Sequence, residues 1–182
     1  MQRPLRRATP LIAALAALLA PTASAGEKLP VDLFAGYSYA DISEEGRHGA
    51  DAALGLALAG PVSAFVDASA HWASVSGVDL SDWTLMAGPG MRFGKAGGSV
   101  FFVRALGGLV HDRASITVLD VDIGESNSRL GVLAGGGIDL RVARAWAVRV
   151  QGDYLWNDAP EGAKTSGFRA AAGVVYRFGI GR

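Results

Sequence analysis

The 182-residue chain has no cysteine, which excludes a disulfide framework, a haem-attachment motif and thiolate-ligated zinc. It has no surplus of positive charge. Its 17 Lys+Arg are matched by 17 Asp+Glu, which argues against a nucleic-acid partner. No apolar run approaches the ~20 residues a helix needs to cross a bilayer. There is no P-loop, no dinucleotide fingerprint in a βαβ unit and no His-x-x-x-His zinc pair. The runs Gly97-Gly98 and Gly135-Gly136-Gly137 are not followed by a helix that could bind phosphate. No cofactor is expected. What the chain has in excess is glycine, 25 residues, nearly twice the usual share of about 7%. The glycines follow no Gly-X-Y period, and half the chain is apolar, so neither collagen nor disorder explains them.

Residues 1–25 read as a secretory signal peptide. Arg3, Arg6 and Arg7 precede an apolar stretch from Leu11 to Ala20. Pro21 then breaks it, and Ala23-Ser24-Ala25 supplies small residues for cleavage. This leader carries three of the basic residues and no acid, so the remaining domain, residues 26–182, is mildly acidic.

From residue 26 onward the pattern has a period of two, the mark of strands. Eight alternating segments follow one another. The first sets Val31, Leu33, Ala35, Tyr37 and Tyr39 against Asp32, Phe34, Gly36 and Ser38. The last sets Phe168, Ala170, Ala172, Val174, Tyr176 and Phe178 against Arg169, Ala171, Gly173 and Arg177. Connections near Gly60, Lys95 and Arg144 are tight. Those over residues 42–50, 75–81, 112–127 and 157–166 read as longer polar loops. Short turns at one end and long loops at the other are the plan of an eight-stranded antiparallel up-and-down transmembrane β-barrel. Pro89, inside the fourth segment, lacks a ladder donor and predicts a bulge or bend at Gly88-Pro89-Gly90.

A soluble barrel would also alternate, with its apolar face inward. Here one face carries no charge along the strands and takes every Trp and Tyr. Tyr37, Tyr39, Trp72, Trp83, Tyr154 and Trp156 fall toward the long-loop end. Phe93, Trp146, Tyr176 and Phe178 fall toward the tight-turn end. Two such girdles suit the two interfaces of a membrane. The other face mixes glycine with Asp67, Arg104, Asp139, Arg149, Asp153 and Arg169, which are expected to form an ion-pair network in the lumen. Strand counting places Asp153 near Arg169 and Arg149 near Asp139. The small residues would leave room for the long arginines, and a barrel this narrow is filled by side chains.

The segment Leu33-Phe34-Ala35-Gly36-Tyr37-Ser38-Tyr39 resembles the opening strand of the OmpA-like outer-membrane β-barrel family of small porin-like proteins. Gly135-Gly136-Gly137-Ile138-Asp139-Leu140, with Val148-Arg149-Val150 and Asp153-Tyr154, resembles its sixth and seventh strands. Gly173-Val174-Val175-Tyr176-Arg177-Phe178-Gly179 resembles its closing strand, although Gly179 to Arg182 follow the terminal aromatic. The resemblance spans the chain after the leader. It implies residence in the Gram-negative outer membrane among lipid and lipopolysaccharide, and insertion by the barrel-insertion machinery.

The expected function is non-enzymatic: a structural or surface-interaction role through the long loops, with an unidentified surface ligand and no open channel. Asp112, Asp120, Asp122 and Glu125 form an acidic loop that matches no calcium-loop spacing and reads as a solvated face. The alternatives are a narrow-conductance porin and a lipid A- or phospholipid-modifying enzyme. Small barrels of the latter kind use Ser, His and an acid at the outer leaflet. Of the three histidines, His48 lies near Glu44, Glu45 and Asp51, His71 faces the lumen by parity, and His111 stands beside Asp112 with Ser115 nearby. None is near the last strand.

Overall fold

The computed structural model describes residues 29–42, 45–75, 78–94, 98–118, 121–158 and 164–180. The expected leader and Asp120 lie outside them. The described chain forms eight strands: β1 (Leu29–Ile42), β2 (Glu45–Ala59), β3 (Val62–Val75), β4 (Val78–Gly94), β5 (Val100–Val118), β6 (Val121–Arg141), β7 (Trp146–Asp158) and β8 (Lys164–Ile180). Each pairs antiparallel with the next, and β8 pairs with β1 from Leu29↔Ile180 to Ile42↔Gly167, closing the barrel.

Period-two alternation sets the faces. Phe34, Phe65, Met86, Phe102, Leu106 and Leu133 are buried inside, while Leu33, Val66, Leu85, Val103 and Val132 point outward and are exposed. At the tight end, β2 and β3 join through Gly60 and Pro61, with Gly60 at φ +55°, a conformation that costs glycine little. A register shift between Ala57 and Ala59 leads into that turn.

Two expectations need correction. First, the segments read as long loops continue the ladder. β5 and β6 stay paired out to Val118↔Val121, β1 and β2 to Ile42↔Glu45, and β3 and β4 to Val75↔Val78. Polar composition marks these hairpin ends as solvated, and it does not break strand pairing. Second, no bulge forms at Pro89. The β3–β4 register runs through Ala64↔Pro89 without a shift, and the β4–β5 register is the same before and after. Proline only removes pairing at Gly88 and Pro89 on the β5 side, since it has no N–H to give.

Many glycines sit where adjacent strands press together on the inner wall. A Cβ on Gly135 would stand 2.6 Å from the Cα of Asp153, whereas on outward Gly107 its nearest neighbour is the Gly131 carbonyl at 3.9 Å. Gly135→Val therefore costs about 1–3 kcal/mol or more through overpacking, while Gly107→Ala is tolerated. Urea unfolding in lipid vesicles should show a lowered midpoint for the first variant alone. Equal midpoints would contradict the packing.

Candidate functional site

The inner wall carries the chemistry. Among the described residues six aspartates (Asp32, Asp51, Asp67, Asp82, Asp139, Asp153) and six arginines (Arg47, Arg92, Arg104, Arg149, Arg169, Arg177) line the interior, and the half-buried pair Asp112 and Arg129 faces inward at its rim. The six of each sign fall into three tiers along the barrel.

The middle tier is the most enclosed. Arg104 on β5 reaches both sides of the lumen, donating to Asp153 on β7 through Nε (3.2 Å) and Nη2 (2.8 Å) and pairing through Nη1 with Asp67 on β3 (2.8 Å). Arg169 on β8 donates to the same two carboxylates, each at 2.9 Å. Gln151 donates to Asp51 at 2.7 Å, and Arg169 lies 3.9 Å from that carboxylate.

The tier at the tight-turn end centres on Asp139. Arg149 grips it with two bonds of 2.6 and 2.9 Å, and Arg177 adds a third at 2.8 Å. Arg177 also reaches Asp32, which Arg92 pairs from the other side. The flat guanidinium faces lie over rings: Arg149 over Phe102 (4.5 Å) and Phe34 (5.1 Å), and Arg92 over Phe65 (5.0 Å). Glycine leaves space where expected, because the Arg92 guanidinium lies against the position a Cβ on Gly55 would take.

The tier at the long-hairpin end holds a relay. Ser38 on β1 is 2.9 Å from Nε2 of His71 on β3, and Nδ1 of His71 is 3.1 Å from Asp82 on β4, which also accepts from Arg47 at 3.0 Å. Gly49 of β2 lies between Ser38 and His71 in the ladder, and its missing side chain lets the imidazole cross that strand. The order Ser–His–Asp is that of a hydrolytic relay. Ser38, however, is fully buried (0% exposed).

The tight-turn tier has one arginine in excess and the middle tier one aspartate, so the interior as a whole is charge-balanced. The six residues expected in the lumen all lie in these two tiers. Asp153 meets Arg169 and Arg149 meets Asp139, as strand counting places them. Asp32, Asp51, Asp82, Arg47, Arg92, Arg177 and Gln151 were missed, though parity put several of them on the inner face. Outside, all four Trp and all four Tyr are exposed, as are Phe93 and Phe178. Trp146 packs on Tyr176, and Tyr176 on Phe178, at the tight end. Tyr154 packs on Trp156, and Tyr37 bonds His48, at the other. Of the acidic residues expected in the 112–127 loop, Asp112 pairs with Arg129. His111 stacks on Trp83 and bonds Ser128 at 2.7 Å, and Asp112 is not its partner; the Ser115 side chain lies outside the described ones.

The sequence profile of a family described as the outer membrane protein beta-barrel domain matches residues 11–178. No curated protein matches the chain. Solved structures share the fold at low identity. Neisserial surface protein A is 16% identical with a TM-score of 0.63, over 85% of this chain and 100% of that one. A major outer membrane protein of Thermus thermophilus is 10% identical with a TM-score of 0.62, over 84% and 100%. Ail, the attachment invasion locus protein of Yersinia pestis, solved with the heparin analogue sucrose octasulfate, is 15% identical with a TM-score of 0.60, over 84% and 100%.

Removing one partner of a buried ion pair strands the other. Arg149→Ala leaves Asp139 with Arg177 alone and should destabilise the barrel by about 3–5 kcal/mol. Equilibrium unfolding in detergent reads this directly, and an unchanged midpoint would contradict the pairing.

Proposed function

Because the chain belongs to the outer membrane protein beta-barrel domain family, we propose that it works at the cell surface as a non-enzymatic interaction protein. Its leader is cleaved after Ala25, the barrel-insertion machinery seats residues 26–182 in the outer membrane, and the tight turns face the periplasm. The side-chain-filled interior conducts no solute stream, so the long hairpins do the work.

The observation that carries this reading is the height of the β5–β6 hairpin. β7 ends at Asp158, and its pairing with β6 begins at Gly131↔Asn157. β6, however, starts ten residues earlier, at Val121. Among the described residues nothing pairs with that upper stretch on its β7 side. An open strand edge is a template onto which an extended segment of another protein can add. The three tiers, whose guanidinium groups reach into the lumen from β5 to β3 and β7 and from β8 to β3, support a sealed interior. An attachment locus protein with the same fold supports adhesion as the first activity to test.

A second reading, lipid hydrolysis, draws on the Ser38–His71–Asp82 relay. A nucleophile must meet its substrate, and burial of Ser38 opposes that. Ser38→Ala is therefore expected to leave lipid turnover by the refolded protein at the blank level of the wild type.

The main test displays the chain on cells that lack other adhesins. Adherence to immobilised heparin and to host-cell layers should exceed that of the empty strain. It should be lost when residues 114–125 are replaced by a two-residue turn, with the heat-dependent gel shift of the barrel retained. Adherence that is unchanged by trimming, or absent in the wild type, would contradict the reading. So would large stable conductance steps in a planar bilayer.

A further inference from the structure

Nearly every described arginine is engaged. The six inside the barrel pair with aspartates, Arg129 pairs with Asp112, and Arg141 donates to turn carbonyls. Arg144, in the turn at the tight end, and Arg113, on β5, have no such partner among the described residues; Arg113 is the one on a strand. It is the one arginine on the outward face among the described residues, it is exposed, and none of them bonds or pairs with its guanidinium.

Its position is specific. In the ladder Trp72 is opposite Ser81 and Ser81 is opposite Arg113, so these residues of β3, β4 and β5 form one row. The next row toward the tight end holds Trp83 opposite His111. Arg113 thus stands at the upper edge of the outer aromatic girdle, where head groups lie in a membrane-spanning barrel. A groove of about 350 Å³ opens between Trp72, Ser74, Asp79, Ser81 and Arg113. Asp79 does not close on the arginine, since it accepts from Ser74 at 2.6 Å.

An unpaired guanidinium that shares a groove with an indole and a serine hydroxyl suits an amphiphile with an anionic head. Arginine presents a planar fork of donors that matches phosphate. Tryptophan packs against the sugar or chain that carries it. We propose that Arg113, with Trp72 and Ser81, binds a phosphate of a phosphorylated glycolipid in the outer leaflet. The inference rests on the membrane placement given above.

The full chain is refolded in detergent and offered bisphosphorylated lipid A or the same lipid stripped of its phosphates, and native mass spectrometry counts the retained lipid. The wild type should retain the phosphorylated form preferentially. Arg113→Gln should weaken retention about fivefold, the effect of one basic side chain at a membrane surface. Arg113→Lys should restore part of it, and Arg144→Gln, in the opposite turn, should change nothing. Equal retention of both lipids, or an unaffected Arg113→Gln, would overturn the assignment. Saturable binding of inorganic phosphate in place of the lipid would overturn it too, by assigning the site to a free anion. A wild-type chain that shows no heat-dependent gel shift would overturn the membrane placement itself, an outcome separable from loss of lipid selectivity in a folded barrel.

Discussion

A strand that crosses hydrocarbon must find a partner for every backbone N–H and C=O, because lipid offers none. The fourteen-residue pairing of β8 with β1 meets that demand by removing both edges of the sheet. The other features follow from closure. Once the sheet is a tube, one set of alternate residues faces lipid and the other faces a narrow interior. That division puts Leu, Val, Trp and Tyr outside and leaves the inside to glycine, aromatic rings and balanced charge.

The interior is held by arginines shared among carboxylates. Taking a lone charge out of water costs several kcal/mol. The cost is offset where each guanidinium meets two acceptors, as Arg104 and Arg169 do with Asp67 and Asp153. Apart from Arg169 with Asp153, which are ladder partners on β8 and β7, these bonds run between strands that are not neighbours in the sheet, from β5 to β3 and β7 and from β8 to β3. They brace the tube across its bore, which ladder hydrogen bonds cannot do. Glycine is part of the same arrangement. Gly55 leaves space under Arg92, and Gly49 lets His71 reach over β2 to Ser38.

Much of this was legible in the sequence, for definite reasons. The period-two alternation holds from Asp32 to Tyr39, so the faces of that part of β1 follow from residue order, while Val31, which parity puts outside, is buried. Asp139 and Arg149 lie on adjacent strands joined by a short turn, so counting along that hairpin brings them together. Counting along hairpins cannot see Arg104 with Asp67, because that contact exists only when the sheet curls. The Ser38–His71–Asp82 relay stayed hidden for the same reason, since it needs Gly49 as a gap in an intervening strand. The heights of the hairpins were misread because solvated strand ends and loops share a composition. Pro89 was misread because the loss of one donor was taken to require a change of register.

The central claim is that the barrel is apolar on its outside because the outside faces lipid. Trp72, Trp83, Trp146 and Trp156 report on it directly, since all four lie on that face. The most direct measurement is tryptophan quenching of the refolded chain in vesicles, comparing brominated lipids with aqueous acrylamide. Strong quenching by the lipid, greatest for bromines near the head groups, is the expected result. Tryptophans quenched by acrylamide and untouched by brominated lipid would show a barrel that turns this face to water, and would contradict the claim.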